Sequence, residues 1–240
     1  MPESLDVSGV PYARVTTWKH DFFAATGLYQ HAGRGVVVKI ARRGGFLGIP
    51  LNWVGRLLTR HEADLLNRLG DLDGIPRLVG IVGDNVLVHA FVPGRALHKG
   101  ERVDDHFFTR LSAILAELHR RGIAYVDLEK PTNVLVADDG KPYLVDFQIS
   151  WPWPLGWFVR TPLAAWLCRR LQQADLYHLR KLRRRFRPDQ MSPRELAQSY
   201  HRPWPVRLHA RLTRPLTRLR RRALAKLDPV RYDGERGRTD

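Results

Sequence analysis

The chain has 240 residues, 44% of them hydrophobic, which is enough for one large domain or two small lobes and excludes a wholly disordered chain. A single cysteine, Cys168, excludes an internal disulfide and any CxxC metal site, and the first 20 residues show no apolar signal-peptide core, so a reducing cytoplasm is the expected compartment. The formal net charge of +16 sits in one region: residues 160–226 hold 19 Lys/Arg against 3 Asp/Glu, while residues 1–159 hold 18 against 17.

Residues 12–40 read as short strands with turns. Val36-Val37-Val38-Lys39-Ile40 is a β-branched run after the turn-like Ala32-Gly33-Arg34-Gly35, and Arg42-Arg43-Gly44-Gly45 marks a loop. The spacing predicts a helix over 54–69, with Leu57, Leu58, Glu62, Leu65, Leu66 and Leu69 in register and Gly70 closing it. Residues 75–92 read as two strands around Gly83-Asp84-Asn85, which completes a small α+β lobe. Pro93-Gly94 breaks the pattern. Beyond it, residues 104–121 predict an amphipathic helix whose stripe is Phe107, Leu111, Ile114, Leu115 and Leu118. Two short strands, 133–137 and 143–147, follow around Asp138-Asp139-Gly140, and the remainder is helical, basic and interrupted by prolines.

The strongest chemical signal is Tyr125-Val126-Asp127-Leu128-Glu129-Lys130-Pro131-Thr132-Asn133, followed by Leu144-Val145-Asp146-Phe147. A loop offering Asp and Asn, then a hairpin ending in a second Asp, gathers oxygen groups. That set suits a base that orients a nucleophile together with ligands for Mg²⁺, a hard cation needing few protein oxygens when phosphates supply the rest.

These segments resemble the catalytic loop and metal-binding Asp-Phe-Gly segment of the protein-kinase-like superfamily, in particular the small bacterial lipopolysaccharide-core kinases and predicted serine/threonine kinases. The resemblance, which covers about residues 12–150, implies a two-lobed α+β fold: a small β-rich lobe over 1–92 and a helical, basic lobe over 93–240. It implies ATP and Mg²⁺ (with Mn²⁺ as a substitute) as cofactors. Asp127 becomes the catalytic aspartate, and Asn133 and Asp146 the metal ligands. Lys39, in Val37-Val38-Lys39-Ile40, becomes the lysine on the nucleotide phosphates, with Glu62 as its partner on the following helix. The linker His89-Ala90-Phe91-Val92-Pro93-Gly94 resembles the hinge that meets adenine, which adds Phe91 to the nucleotide site, although Phe91 reads equally as core. His119 matches a histidine at the end of the preceding helix and reads as structural.

Several positions depart from the family pattern. Asn133 follows Asp127 by six residues rather than five, so the loop must bulge. Tyr125-Val126 replaces the usual His-Arg pair, which argues against activation by a phosphorylated loop. Gln148 replaces the glycine after Phe147. Residues 12–35 contain no Gly-x-Gly-x-x-Gly, leaving the segment from Lys19 to Gly27 to cover phosphate, and no Ala-Pro-Glu anchor follows. The last absence puts a conventional peptide-binding surface in doubt.

The C-terminal region carries Trp151, Trp153, Trp157, Phe158 and Trp166 among leucines, which suits either core packing or an interfacial surface. Residues 207–227 place Leu208, Leu212, Leu216, Leu219, Ala223 and Leu227 on one stripe surrounded by arginines, a basic amphipathic pattern that lies on anionic membrane, docks on a protein or covers its own domain. No zinc finger or RNA motif supports nucleic acid as the partner. The expectation is an ATP-dependent kinase at the cytoplasmic face, peripheral on the inner membrane, with a lipopolysaccharide-core sugar hydroxyl as acceptor. The alternatives are a serine/threonine protein kinase and an inert kinase-like module that binds membrane or protein.

Overall fold

The β-branched and alternating stretches of the first 90 residues pair into one sheet. In the computed structural model, which describes residues 1–20, 24–41, 45–46, 49–50, 52–98, 100–152 and 161–201, six antiparallel strands line up in the order β1-β2-β3-β4-β8-β7. These are β1 (Ser4–Val7), β2 (Val10–His20), β3 (Ala24–His31), β4 (Arg34–Ala41), β7 (Leu78–Val82) and β8 (Val86–Ala90). A two-stranded pair, β5 (Gly45–Phe46) and β6 (Ile49–Pro50), precedes the first helix. Register shifts in β2 between Arg14 and Thr16 and between Thr17 and Lys19 are the bulges that curl the sheet.

Helix α1 (Asn52–Arg68) packs on β4, β7 and β8. It buries Thr59, Glu62, Ala63, Leu65 and Leu66, whereas Leu57, expected on the same stripe, is 59% exposed. The buried face is centred on Thr59, Glu62, Ala63 and Leu66, and two residues of helical advance turn Leu57 away from it.

After β8 the chain crosses to a lobe built mainly of helices. It contains β9 (Gly94–Ala96), α2 (Phe107–Arg120), β10 (Ile123–Ala124), β11 (Val134–Ala137), β12 (Pro142–Leu144), β13 (Trp151–Pro152), α3 (Pro162–Phe186) and α4 (Pro193–Tyr200). The predicted α2 stripe is buried in full, with Phe108 added, and joins Leu128, Val134, Leu144, Phe147, Leu179 and Leu182 in one core. Burying each such side chain is worth about 1.5–3 kcal/mol. Gly94 has φ +148°, and a Cβ there would stand 2.4 Å from the Val136 carbonyl oxygen, so only glycine lets β9 pair with β11. Thr161 caps α3 by accepting the Ala164 N–H at 3.2 Å, with Pro162 in the first turn.

The result is a curled N-terminal sheet joined to a helical lobe. Packing gathers Met1–Ser199 into one compact unit. Trp153, Trp157, Phe158 and the basic helix expected over 207–227 lie outside the described residues.

Candidate active site

Lys39 lies in β4 opposite Leu87, and Val37, on the same face, lies opposite His89. From there Lys39 Nζ donates to Glu62 Oε1 at 2.6 Å and to Asp146 Oδ1 at 3.4 Å. Burial works against the ammonium charge, but the Glu62 and Asp146 carboxylates outweigh it and leave the lysine pKa above its ordinary value. The 23-residue separation of Lys39 and Glu62 is closed by α1 packing on the sheet. Glu62 Oε1 also accepts the Phe147 N–H at 3.2 Å, so one carboxylate, 1% exposed, ties β4, α1 and the segment after Asp146 together.

Asp146 and Val126 are both non-glycine residues in the left-handed region, at φ +66° and +71°. For a β-branched residue such a conformation costs on the order of 1–3 kcal/mol and needs to be held in place. Asp175 of α3 holds it. Fully buried, it accepts the Tyr125 N–H at 2.8 Å, the Val126 N–H at 2.7 Å and a hydrogen bond from His119 Nε2 at 3.1 Å. Tyr125 in turn donates its hydroxyl to the Val145 carbonyl, next to Asp146, and sets its ring edge-on to Phe147. Burial and the surrounding Asp146 and Asp127 charges push the Tyr125 hydroxyl pKa well above its ordinary value, so it remains a donor. The backbone turn at Asp146 also explains why the expected strand 143–147 ends at Leu144.

The loop from Asp127 to Asn133, one residue longer than the family pattern, still closes. Lys130 N–H reaches the Asp127 carbonyl at 3.4 Å, and a 3₁₀ turn over Pro131–Asn133 follows. Asn133 Nδ2 then donates to Asp127 Oδ2 at 2.8 Å, beside Lys130 Nζ on the same oxygen at 2.7 Å. On the outside of the loop the exposed Glu129 accepts from Lys181 of α3 at 3.0 Å. Lys39, Glu62 and Asp146 thus form one cluster and Asp127 and Asn133 a second, and the Val145 N–H on the Asn133 carbonyl at 3.0 Å sets the two side by side.

Phe91 sits in the linker between β8 and β9. Its N–H donates to the Gly35 carbonyl at 3.0 Å, and its ring packs over Gly35 and lies 6.0 Å from Trp18. Its own amide is thus engaged within the sheet. Next to it, His89 is buried and donates Nδ1–H to the Ala90 carbonyl at 2.9 Å. Burial, then the Lys39 charge, lowers its pKa to about 4, so the imidazole is neutral. Of the segment from Lys19 to Gly27, Lys19 and His20 end β2 and Ala24 to Gly27 begin β3, while residues 21–23 lie outside the described residues.

Among the described residues no group of three or more His, Cys, Asp and Glu could hold a metal alone. The oxygens of Asp146 and Asn133 fit a different arrangement. With its Nδ2 on Asp127, Asn133 keeps a carbonyl oxygen for a cation, and the Asp146 carboxylate is 36% exposed to the cleft. Two hard oxygen donors suit Mg²⁺ when nucleotide phosphates complete its shell.

The curled sheet and helical lobe together give a protein-kinase-like fold. Among solved structures, the chain is similar to the Rio2 kinase–ADP/Mg²⁺–phosphoaspartate complex of Chaetomium thermophilum, with a TM-score of 0.55, 15% identity, and coverage of 82% of this chain and 65% of that one. A second structure of the same kinase gives a TM-score of 0.54, 16% identity and coverage of 82% and 66%. The chain thus spans just under two-thirds of those structures' length, and the likeness is one of fold. No model of a known protein family matches the chain, and no curated protein matches it.

Sequence reasoning gives no functional role to Asp175, Lys130 or His89. Asp175 is a lone acid in a basic helix, without a local motif. Lys130 stands three residues after Asp127, and that short spacing is the signal that could have found it.

Proposed function

We propose that this chain is an ATP-dependent phosphotransferase that uses an alcohol as acceptor. The observation that carries the reading is the Lys39–Glu62–Asp146 cluster set beside the Asp127–Asn133 pair by the Val145 N–H on the Asn133 carbonyl. Lys39, held charged by two carboxylates, binds and orients nucleotide phosphates. Asp146 and Asn133 would hold the cation, which would supply charge stabilisation on the transferring phosphoryl group. Asp127 has one oxygen fixed by Lys130 and Asn133 and offers the other to the acceptor hydroxyl, which it orients and deprotonates. With little covalent chemistry for the protein to perform, positioning and preorganised charge account for most of the catalysis. Phe91, its amide engaged by Gly35, contributes shape rather than a hydrogen bond to the base site.

For the acceptor we favour a seryl or threonyl hydroxyl of a protein, the acceptor of the serine/threonine kinases that the segment from Tyr125 to Phe147 resembles. A lipopolysaccharide-core sugar at the cytoplasmic face of the inner membrane is the second reading, and it rests on the excess of 19 Lys/Arg over 3 Asp/Glu in residues 160–226. The test is transfer of labelled γ-phosphate by the full chain, with Mg²⁺ or Mn²⁺, to general protein substrates and to purified lipopolysaccharide. Phosphoserine or phosphothreonine product supports the first acceptor and labelled lipopolysaccharide the second. Nucleotide binding without transfer to either points to the inert module. Hydroxylamine treatment identifies any label that is held as an acyl phosphate on the protein itself.

A further inference from the structure

The turn that follows Asp146 is gripped by α1 at both of its ends. Residues 147–150 close on themselves, with the Ser150 N–H on the Phe147 carbonyl at 3.2 Å. At the near end Glu62 Oε1 accepts the Phe147 N–H at 3.2 Å, and at the far end His61 Nε2 meets the Ser150 carbonyl at 2.8 Å. A carbonyl only accepts, so the half-buried imidazole carries its proton on Nε2 and donates it. His61 and Glu62 are neighbours, about 100° apart around the helix, and together they reach both ends of the turn. Ser150 is itself 3% exposed and donates its hydroxyl to the Tyr125 carbonyl at 2.9 Å, which ties the same turn to the loop that carries Asp127.

Asp146 depends on such a hold. Its backbone sits at φ +66°, and its carboxylate meets Lys39 at 3.4 Å, a long contact that fixes it only loosely. The direction in which the carboxylate leaves the chain is therefore set by its flanks. Tyr125 holds the Val145 carbonyl on one side, and the turn 147–150 lies on the other. We propose that His61 is a positioning residue for Asp146: by anchoring the Ser150 end of the turn to α1, it keeps the Asp146 carboxylate aimed at the cation and at Lys39. Glu62 does not suffice for this, because its Oε1 is shared between the Phe147 N–H and the Lys39 ammonium at 2.6 Å. With the Ser150 end released, the segment pivots at Phe147 and carries Asp146 with it. The inference rests on the reading of Asp146 as a cation ligand.

Two measurements on the full chain test it. The first is amide hydrogen exchange without nucleotide, followed by mass spectrometry over residues 143–152, with α2 as the internal reference for an intact fold. His61→Leu, which keeps bulk but no donor, should exchange that segment about threefold to tenfold faster, with α2 unchanged. His61→Gln, whose amide N–H replaces the imidazole donor, should stay near the wild type. The second is calorimetry of ADP binding with and without Mg²⁺. In His61→Leu the gain in affinity that Mg²⁺ confers should shrink about fivefold or more, while binding without metal stays within about twofold, and His61→Gln should restore the gain. A side chain that only packs would show neither the selective loss of the Mg²⁺ effect nor the rescue by glutamine. Equal exchange in wild type and His61→Leu overturns the proposal, as does a glutamine variant that behaves like the leucine one. Faster exchange with an unchanged Mg²⁺ effect also overturns it, since the turn then moves without moving Asp146. A wild type that binds no ADP overturns the nucleotide reading instead, and the exchange result alone then decides whether His61 holds the turn.

Discussion

Asp175 accepts the Val126 N–H at 2.7 Å, and Val126 is the residue immediately before the candidate catalytic Asp127. Val126 has φ +71°, a conformation that its branched side chain disfavours, so the carboxylate of α3 sets the backbone direction from which Asp127 leaves. Asp175→Asn replaces an acceptor of three hydrogen bonds with a group that presents N–H to N–H on one side. We expect a loss of about 2–3 kcal/mol in urea unfolding. Phosphotransfer should fall more than nucleotide affinity, which a kcat and KM comparison shows.

Lys39 and Glu62 form a buried pair, and removing one partner leaves the other uncompensated. Lys39→Met should cost about 3–5 kcal/mol of stability because the Glu62 carboxylate then keeps only the Phe147 N–H. Lys39→Met/Glu62→Met should recover part of that loss, since no unpaired charge remains, while phosphotransfer stays abolished. A double-mutant cycle by chemical denaturation reads the coupling.

Asn133→Ala removes a candidate cation ligand and one of the two donors on Asp127 Oδ2. The apparent Mg²⁺ requirement for phosphotransfer should rise about tenfold. Binding of nucleotide measured without metal should change little. Titration calorimetry with and without Mg²⁺ separates the two effects.

His89 carries a pH prediction. Its folded pKa of about 4 lies below the ordinary value of 6.5, so the unfolded chain takes up a proton in a window where the folded chain does not. Stability is therefore full above pH 6.5 and falls as pH drops from 6.5 toward 4. The contribution is on the order of 3 kcal/mol across the window. His89→Leu should flatten that part of the stability curve in denaturation at stepped pH, relative to wild type, while leaving the part above pH 7 parallel.

The sequence made legible what is local or periodic. The apolar stripe of α2 is visible because a helix buries every third or fourth residue, and β4 because three valines in a row suit a strand buried on both faces. The loop from Asp127 to Asn133 and the Asp146-Phe147 pair were readable because their residue types sit close in sequence. Asp175 was not, because its partners lie about 50 residues away and nothing in its own helix distinguishes it from a solvated acid. Leu57 misled for a related reason: α1 has apolar residues on more than one side, and the choice of buried face belongs to the sheet it meets. The longer spacing from Asp127 to Asn133 is visible by counting, but the contact of Glu129 with Lys181, 52 residues away, is visible only in the fold.

The central claim is that Asp127 serves phosphoryl transfer from ATP. The direct measurement compares γ-phosphate transfer and nucleotide binding by the wild type and Asp127→Asn under the same Mg²⁺ conditions. We expect transfer to fall by about a thousandfold or more while nucleotide affinity stays within a few fold, since Lys39 and Asp146 remain. Equal transfer by Asp127→Asn contradicts the assignment of the catalytic residue, and absence of both nucleotide binding and transfer in the wild type contradicts the enzyme itself.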